Sequence, residues 1–165
     1  MTFDHSETDS IDPIDMIEDF AESRDWDFSR ISDEQISMSI QGSWHVYTVT
    51  LAWSTAENML RLVCTCEFAP EVGQLPAIYD LLNKVNDTCW GGCFSLWHEQ
   101  TLLVWRYGLI LSENIIVAPE QIDKMLTNAS AHMERFYPAF QLTAFYEKSP
   151  DEAIQIAMNE AYGRA

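Results

Sequence analysis

The four cysteines come closer than any other residues of this 165-residue chain to the spacing of a chemical site. Cys64 and Cys66 would share one face of a strand, while Cys89 and Cys93 would bracket a helix-to-strand turn. Four converging thiolates are a typical zinc ligand set. A C-x-C pair in a strand, however, separates its Cβ atoms by roughly 6.5–7 Å, wider than the usual C-x2-C turn. We therefore interpret the cysteines as buried free thiols and predict no metal site, with a zinc or redox site as the alternative.

The histidines show no ligand or catalytic spacing with one another or with the cysteines. They are His5, His45, His98 and His132. The chain has no G-x-S-x-G elbow, no phosphate-binding loop and no dinucleotide-binding glycine motif, and Gly91-Gly92 is interpreted as a helix stop. We therefore predict that the protein is not an enzyme and that it binds no cofactor. The alternative is a cryptic active site whose groups converge from distant parts of the sequence.

The net charge of −17 excludes a large class of partners. Acidic residues are concentrated at the front, where residues 1–34 hold 12 acidic and 2 basic side chains. Such a field repels nucleic-acid phosphates and anionic lipid, and the sequence has no Lys/Arg cluster to oppose it. We predict no nucleic-acid partner. The acidic segment is either a solvated surface or a docking surface for a basic protein.

The location of the protein is predicted from its apolar runs and its first residues. No apolar run approaches the ~20 residues that a membrane span requires. Residues 1–10 have neither a basic nor an apolar segment of a secretory signal, so we expect a cytoplasmic protein without membrane contact. Residues 1–11 are expected to form a mobile acidic tail, followed by a single α+β domain over 12–165.

The spacing of hydrophobic residues alternates between helical and strand-like periods along the chain. This order predicts the helices and strands that would position a functional site. A helix over about 13–24 is followed by four alternating runs, then a helix ending near Gly91-Gly92, then two strands. The predicted strands cover 26–31, 35–41, 44–53, 58–68, 93–98 and 101–110. A long helix begins at Pro119, with an interruption expected at Pro138 and a kink near Phe136-Tyr137, and a last helix begins at Pro150.

This order, α-ββββ-α-ββ-α-α, predicts an α+β fold in which an antiparallel sheet of about six strands packs with helices. One sheet face would then collect aromatic and aliphatic residues around two arginines, a mixture that protein-binding surfaces tend to use. The candidate contacts on this face are Trp44, Arg61, Trp97, Val104 and Arg106. The alternative is that the C-terminal helices cover this face and make it core.

Four segments taken in order resemble the bacterial YbjN-domain family, whose usual label is regulator of sensory transduction. They are NDTCWGGCF at 86–94, LVWRYGL at 103–109, ERFYPAF at 134–140 and EAYGRA at 160–165. The likeness runs from about Asp15 to the C-terminus. It implies the α+β fold of type III secretion chaperones and no catalytic or cofactor residues. A fourth early strand and two extra C-terminal helical segments are departures from that pattern.

We therefore expect a non-enzymatic cytoplasmic binding module, chaperone-like in fold and regulatory in role. Its partner would be a protein or peptide segment docked by alternate side chains, with the acidic first helix steering a basic partner. Two alternatives come from other classes. One is an enzyme with a zinc or cryptic site built on the cysteines, and the other is a homodimer or larger homo-oligomer that uses the apolar face for self-association.

Overall fold

The computed structural model describes residues 12–112 and 117–163, with side chains up to residue 159, so the predicted tail over 1–11 lies outside the described residues. The elements follow the predicted order. They are α1 (Pro13–Ser23), β1 (Phe28–Ser32), β2 (Gln35–Gln41), β3 (Val46–Ser54), β4 (Met59–Glu67), α2 (Leu75–Asn86), β5 (Cys93–Trp97), β6 (Leu102–Ile110), α3 (Pro119–Phe145) and α4 (Pro150–Gly163). Short 3-10 turns precede α2 and β6.

The strands form one six-stranded sheet in the order β1-β2-β3-β4-β6-β5, with every neighbouring pair antiparallel. The first four strands are a meander because short turns connect them in sequence. The chain then passes through α2 to the edge strand β5 and returns as β6, which pairs with β4. The predicted α+β fold is confirmed, and each strand boundary lies within two residues of its prediction.

Two helices begin at the caps that the sequence predicts. The backbone N–H of Ile14 donates to Asp12 Oδ1 at 2.8 Å, which fixes the start of α1 one residue before its proline. At α4 the N–H of Glu152 donates to Ser149 Oγ, and the N–H of Ser149 donates to Glu152 Oε2, both at 3.3 Å. This reciprocal pair is a capping box, so the first turn of α4 keeps few unsatisfied donors.

Alternation along the strands separates two faces of the sheet. One face joins α1, α2, α3 and α4 in a single apolar cluster, so we call it the covered face. Its strand residues include Tyr47, Val49, Leu51, Leu60, Leu62, Cys64, Leu103 and Trp105, all essentially without solvent exposure. The residues between them belong to the opposite face, against which none of the described helices packs; we call it the open face.

The predicted interruption of α3 at Pro138 is wrong, because the helix continues through this proline to Phe145. A proline inside a helix removes one hydrogen bond and costs about 3 kcal/mol. Phe136 and Phe140, on either side of it, are buried and contact the ring of Phe94 at centroid distances of 5.7 and 5.4 Å. Burying each large side chain contributes about 1.5–3 kcal/mol, so packing outweighs the lost bond.

Candidate functional site

The open face is divided into a polar half and an apolar half. On β2 and β3 it presents small hydroxyl side chains, among them Ser37, Ser39, Thr48 and Thr50. On β4, β6 and β5 it presents mostly apolar side chains, among them Met59, Val63, Ile110, Leu102 and Trp97. Ile110, the last residue of β6, is 73% exposed, which is unusual for an isoleucine. Apart from Val46 on β3, which is 54% exposed, the large apolar side chains of these five strands on the open face lie on β4, β6 and β5.

Strand register brings four of the five predicted contact residues together on the apolar half. Arg106 lies opposite Val63 on β4, and Arg61 lies opposite Gly108, two residues farther along β6. Val104 and Trp97 continue the same face toward the other end of β6 and β5. Trp97 is 37% exposed and both arginines are exposed. These positions form one contiguous area over three adjacent strands.

The other predicted contacts are placed less favourably. Trp44 lies in the β2–β3 turn, at a corner of the sheet, with β3 and β4 between it and β6. Val104 is on the apolar half but has 0% exposure, since it is enclosed between Thr65 on β4 and Ser95 on β5. Val104 therefore offers no surface to a partner in this conformation, although it supports the side chains around it.

A depression of about 390 Å³ lies on the apolar half of the open face. Its lining includes Met59, Arg61, Val63, Cys93, Arg106 and Gly108. Gly108 also lines it, and a Cβ at this position would lie only 3.0 Å from Met59 Sδ. Sequence reasoning missed the glycine, the methionine and the cysteine. An isolated glycine within a strand was the available signal, since it often marks a close approach of backbone to a ligand.

The two arginines beside the depression differ in their partners. Arg61 forms an ion pair with Glu57, which holds its guanidinium on the exposed surface. Arg106 forms no ion pair within residues 12–112 and 117–159, and its Nη2 lies 3.8 Å from Cys93 Sγ. The guanidinium of Arg106 is therefore the cation available to an acceptor group placed over the depression.

The edge of the sheet beside the depression is closed by a side chain. Asn86 Nδ2 donates to the carbonyl oxygen of Phe94 at 3.0 Å, and the N–H of Phe94 donates to Asn86 Oδ1 at 2.7 Å. The amide thus replaces a neighbouring strand at the centre of β5 and prevents pairing there. Helix α2 ends at Asn86, before the glycine pair that the sequence predicts as its stop, because Thr88 Oγ1 and Cys89 Sγ donate to the carbonyl of Val85.

The cysteines lie on different faces of the sheet. Cys64 and Cys66 are on the covered face, whereas Cys93 lies opposite Arg106 on the open face. Burial raises the pKa of Cys64 and of Cys66 to about 12, so both are neutral thiols near pH 7. Within residues 12–112 and 117–159 no three His, Cys, Asp or Glu side chains are grouped as a metal site would require.

Glu134 on α3 anchors the β2–β3 turn to the covered side. Its carboxylate accepts hydrogen bonds from Tyr47 Oη at 2.5 Å, from Ser43 N at 2.9 Å and from Trp44 N at 3.4 Å. Burial opposes the charge, but these donors prevail and lower the pKa of Glu134. Burial and the bond to Glu134 raise the pKa of Tyr47. A Cβ at Gly42 would collide with Glu134 and Tyr47, so the anchor also requires this glycine.

Comparison with known proteins decides the family. A family model named YbjN, described as "Putative bacterial sensory transduction regulator", matches residues 13–142. The chain belongs to the YbjN family. The resemblance seen in the sequence is confirmed over those residues, and all of α4 lies beyond them. A comparison with curated proteins returned no match.

Two solved structures are similar in fold to this YbjN-family chain. One is described as YbjN, a putative transcription regulator from E. coli; it is 10% identical with a TM-score of 0.53, and the alignment covers 73% of this chain and 85% of that one. The other belongs to the HopA1-SchA chaperone-effector complex, with 15% identity, a TM-score of 0.49 and coverage of 74% and 89%. In the described part of this chain, no helix is both long and apolar enough to cross a membrane.

Proposed function

We propose that this YbjN-family chain is a non-enzymatic, cytoplasmic protein-binding module in which residues 12–165 act as one domain. The observation that carries the proposal is the depression on the apolar half of the open face, flanked by Arg61 and Arg106. Exposed apolar area beside arginines is typical of surfaces that bind proteins. The regulatory role that the family description names would then depend on which protein occupies this face.

The partner segment would bind across the face rather than along the edge. Asn86 already occupies the N–H and C=O groups of Phe94, so strand addition at the centre of β5 would require breaking two hydrogen bonds. An extended segment over the depression can instead place one apolar side chain against Met59 and Val63 and direct an acceptor toward Arg106. Alternate side chains of an extended segment point the same way, which suits such a surface.

The charge of the whole chain favours a partner that is basic outside the docked segment. With a net charge of −17, the protein attracts a cationic partner over a long range, and this attraction weakens as salt increases. Arg30 on β1 pairs with Asp15 at 2.9 Å and with Glu18 at 2.6 Å, both on α1, and so offsets part of the charge of the acidic helix. The long-range attraction of a basic partner would therefore depend on the summed electrostatic field of the chain more than on the carboxylates of Asp15 and Glu18.

Quantitative affinity capture from a native lysate tests the proposed face. The variant Trp97→Ala/Arg106→Ala removes two exposed side chains from the apolar half. Its matched control, Trp90→Ala/Lys148→Ala, removes the same number of tryptophans and cations at exposed sites outside the open face. We expect the first variant to lose at least about nine-tenths of a specific captured protein, a loss of roughly 1.4 kcal/mol in binding, and the control to retain it.

Identical capture by both variants and the wild type would contradict the proposal. Light scattering of the purified protein distinguishes self-association from the binding of a different protein. A fixed dimer that Trp97→Ala/Arg106→Ala dissociates, with no other protein captured, would assign the open face to a second copy of the chain rather than to a different partner.

A further inference from the structure

A second concave site lies on the other side of β6, between this strand and α3. We call it the β6–α3 cleft; its volume is about 210 Å³. Residues Trp105, Tyr107 and Leu109 line it from β6, and Lys124, Asn128 and His132 line it from α3. The spacing of two along the strand and of four along the helix points each set to one side of its element. None of these residues is among the predicted contacts, and of them only Tyr107 also contributes to the lining of the depression on the open face.

The inner wall of the cleft is a stacked pair of rings, in which the half-buried His132 lies over the buried Trp105. The ring of His132 stacks on Trp105 at a centroid distance of 4.2 Å with 13° between the planes. Trp105 is 1% exposed, so the indole is held in place by the core beneath it. His132 Nδ1 donates to the carbonyl oxygen of Asn128 at 2.7 Å, which fixes the orientation of the imidazole. A wall of this kind is preorganised for a planar apolar group.

The charge at the rim of the cleft is positive. The chain has 26 acidic residues, yet none of the described residues that line the cleft is Asp or Glu, and Lys124 is the cation among them. Lys124 forms no ion pair within residues 12–112 and 117–159. The adjacent Asp123 carboxylate is directed to Arg24, at 3.7 Å. The Lys124 ammonium and the Asn128 amide are thus available to an anionic acceptor at the mouth.

We propose that the β6–α3 cleft binds a small aromatic monocarboxylate, with the ring against His132, whose imidazole is backed by the buried Trp105, and the carboxylate at Lys124 and Asn128. The volume holds about seven waters at liquid density and lies below the roughly 300 Å³ at which sites for drug-sized ligands begin. The ligand is therefore limited to about one ring and a short side chain. The proposal does not depend on the docking face, because Val104, Arg106 and Gly108 point to the opposite side of β6.

Isothermal titration calorimetry with phenylacetate as the probe tests the site, with neutral phenylacetamide and cationic phenethylamine as matched compounds. We expect saturable one-to-one binding of phenylacetate with a Kd between about 10 μM and 1 mM. The amide should bind at least about tenfold more weakly and the amine should not bind, since only the carboxylate can pair with Lys124. Shifts of the Trp105 indole resonance on titration would locate the ligand.

Two variants test the assignment while leaving the fold intact. Lys124→Met should weaken phenylacetate binding about tenfold without changing that of the amide, whereas the control Lys148→Met, a lysine far along the chain from the cleft, should change neither. Asn128→Phe, at an exposed helix position, should fill the mouth and abolish binding of both. The proposal is overturned if phenylacetate shows no saturable binding up to about 10 mM, if acid and amide bind equally, or if both variants bind as the wild type does.

Discussion

The two sides of β6 are formed by alternate residues of the same strand, and yet one side is buried in the core and the other is exposed to solvent. Leu103 and Trp105 on the covered face are packed by α3 and the rings of the core, while Arg106 and Ile110 on the open face meet solvent. The difference follows from the helices, which in the described ranges join only one face in the core cluster. Substitutions on the covered face should therefore change stability, and those on the open face should change binding.

Trp105→Ala is expected to have the largest effect, because it removes a buried aromatic side chain from the covered face. Cavity formation at such a site costs about 3–5 kcal/mol of the free energy of unfolding, measured by urea denaturation. The matched variant Trp97→Ala removes an open-face indole that is 37% exposed, and should cost less than about 1 kcal/mol. Equal losses in the two variants would contradict the assignment of the two faces.

Glu134→Gln tests the anchor between the β2–β3 turn and the covered side. Replacing a carboxylate that accepts three hydrogen bonds should cost about 2 kcal/mol of unfolding free energy at pH 7. The pKa of Glu134 is lowered in the folded state, so its contribution is present above the ordinary carboxyl pKa and is lost as pH falls through the folded value.

The pH dependence provides the control for this anchor. The wild type should lose stability below about pH 4.5 more steeply than Glu134→Gln. Glu67→Gln changes an exposed carboxylate at the end of β4 and should retain the wild-type slope. Parallel curves of unfolding free energy against pH for the wild type and Glu134→Gln would be inconsistent with the anchor.

Asn86→Ala tests whether the amide protects the sheet edge beside the open face. Loss of its two hydrogen bonds to Phe94 should cost about 1–2 kcal/mol in denaturant unfolding. It also exposes the edge of β5, so static light scattering should show increased association at high concentration. Asn83→Ala, at an exposed position of the same helix, is the matched control. A variant as stable and as monodisperse as that control would show that the edge needs no such protection.

Arg61→Ala should have the smallest effect on stability. It tests whether an open-face residue contributes to partner binding rather than to folding. Its exposed ion pair with Glu57 is worth at most about 0.5–1 kcal/mol. Glu57→Gln removes the same ion pair but leaves the cation beside the depression. We expect similar unfolding midpoints for the two variants, with capture of the partner reduced in Arg61→Ala alone. Equal capture by both would remove Arg61 from the binding face.

Much of the fold could be predicted from the sequence because its signals are local. Alternation along residues 46–54 and 102–110 specifies both strands and their buried faces, and Ser149 and Glu152 specify the start of α4. The interruption at Pro138 was a wrong prediction, because propensity considers one helix whereas the ring contacts of Phe136 and Phe140 come from elsewhere in the fold. Tertiary packing decides such cases.

The candidate sites were less predictable because they depend on register between distant segments. Alternation alone could not show that Val104 is enclosed by Thr65 and Ser95, since that requires the pairing of three strands. The spacing of four from Lys124 to Asn128 to His132 was visible as a polar stripe on a helix. Its relation to Trp105 appears only when α3 is placed on β6.

Site-specific photo-cross-linking in cells tests the proposed binding face most directly. A photoreactive amino acid at Ile110, which is 73% exposed on the open face, is compared with one at Tyr79, which is 52% exposed on α2. The account predicts a discrete adduct with another protein at position 110 that Trp97→Ala/Arg106→Ala removes, and no such adduct at position 79. Adducts at position 79 alone, or the same adducts at both positions, would contradict it.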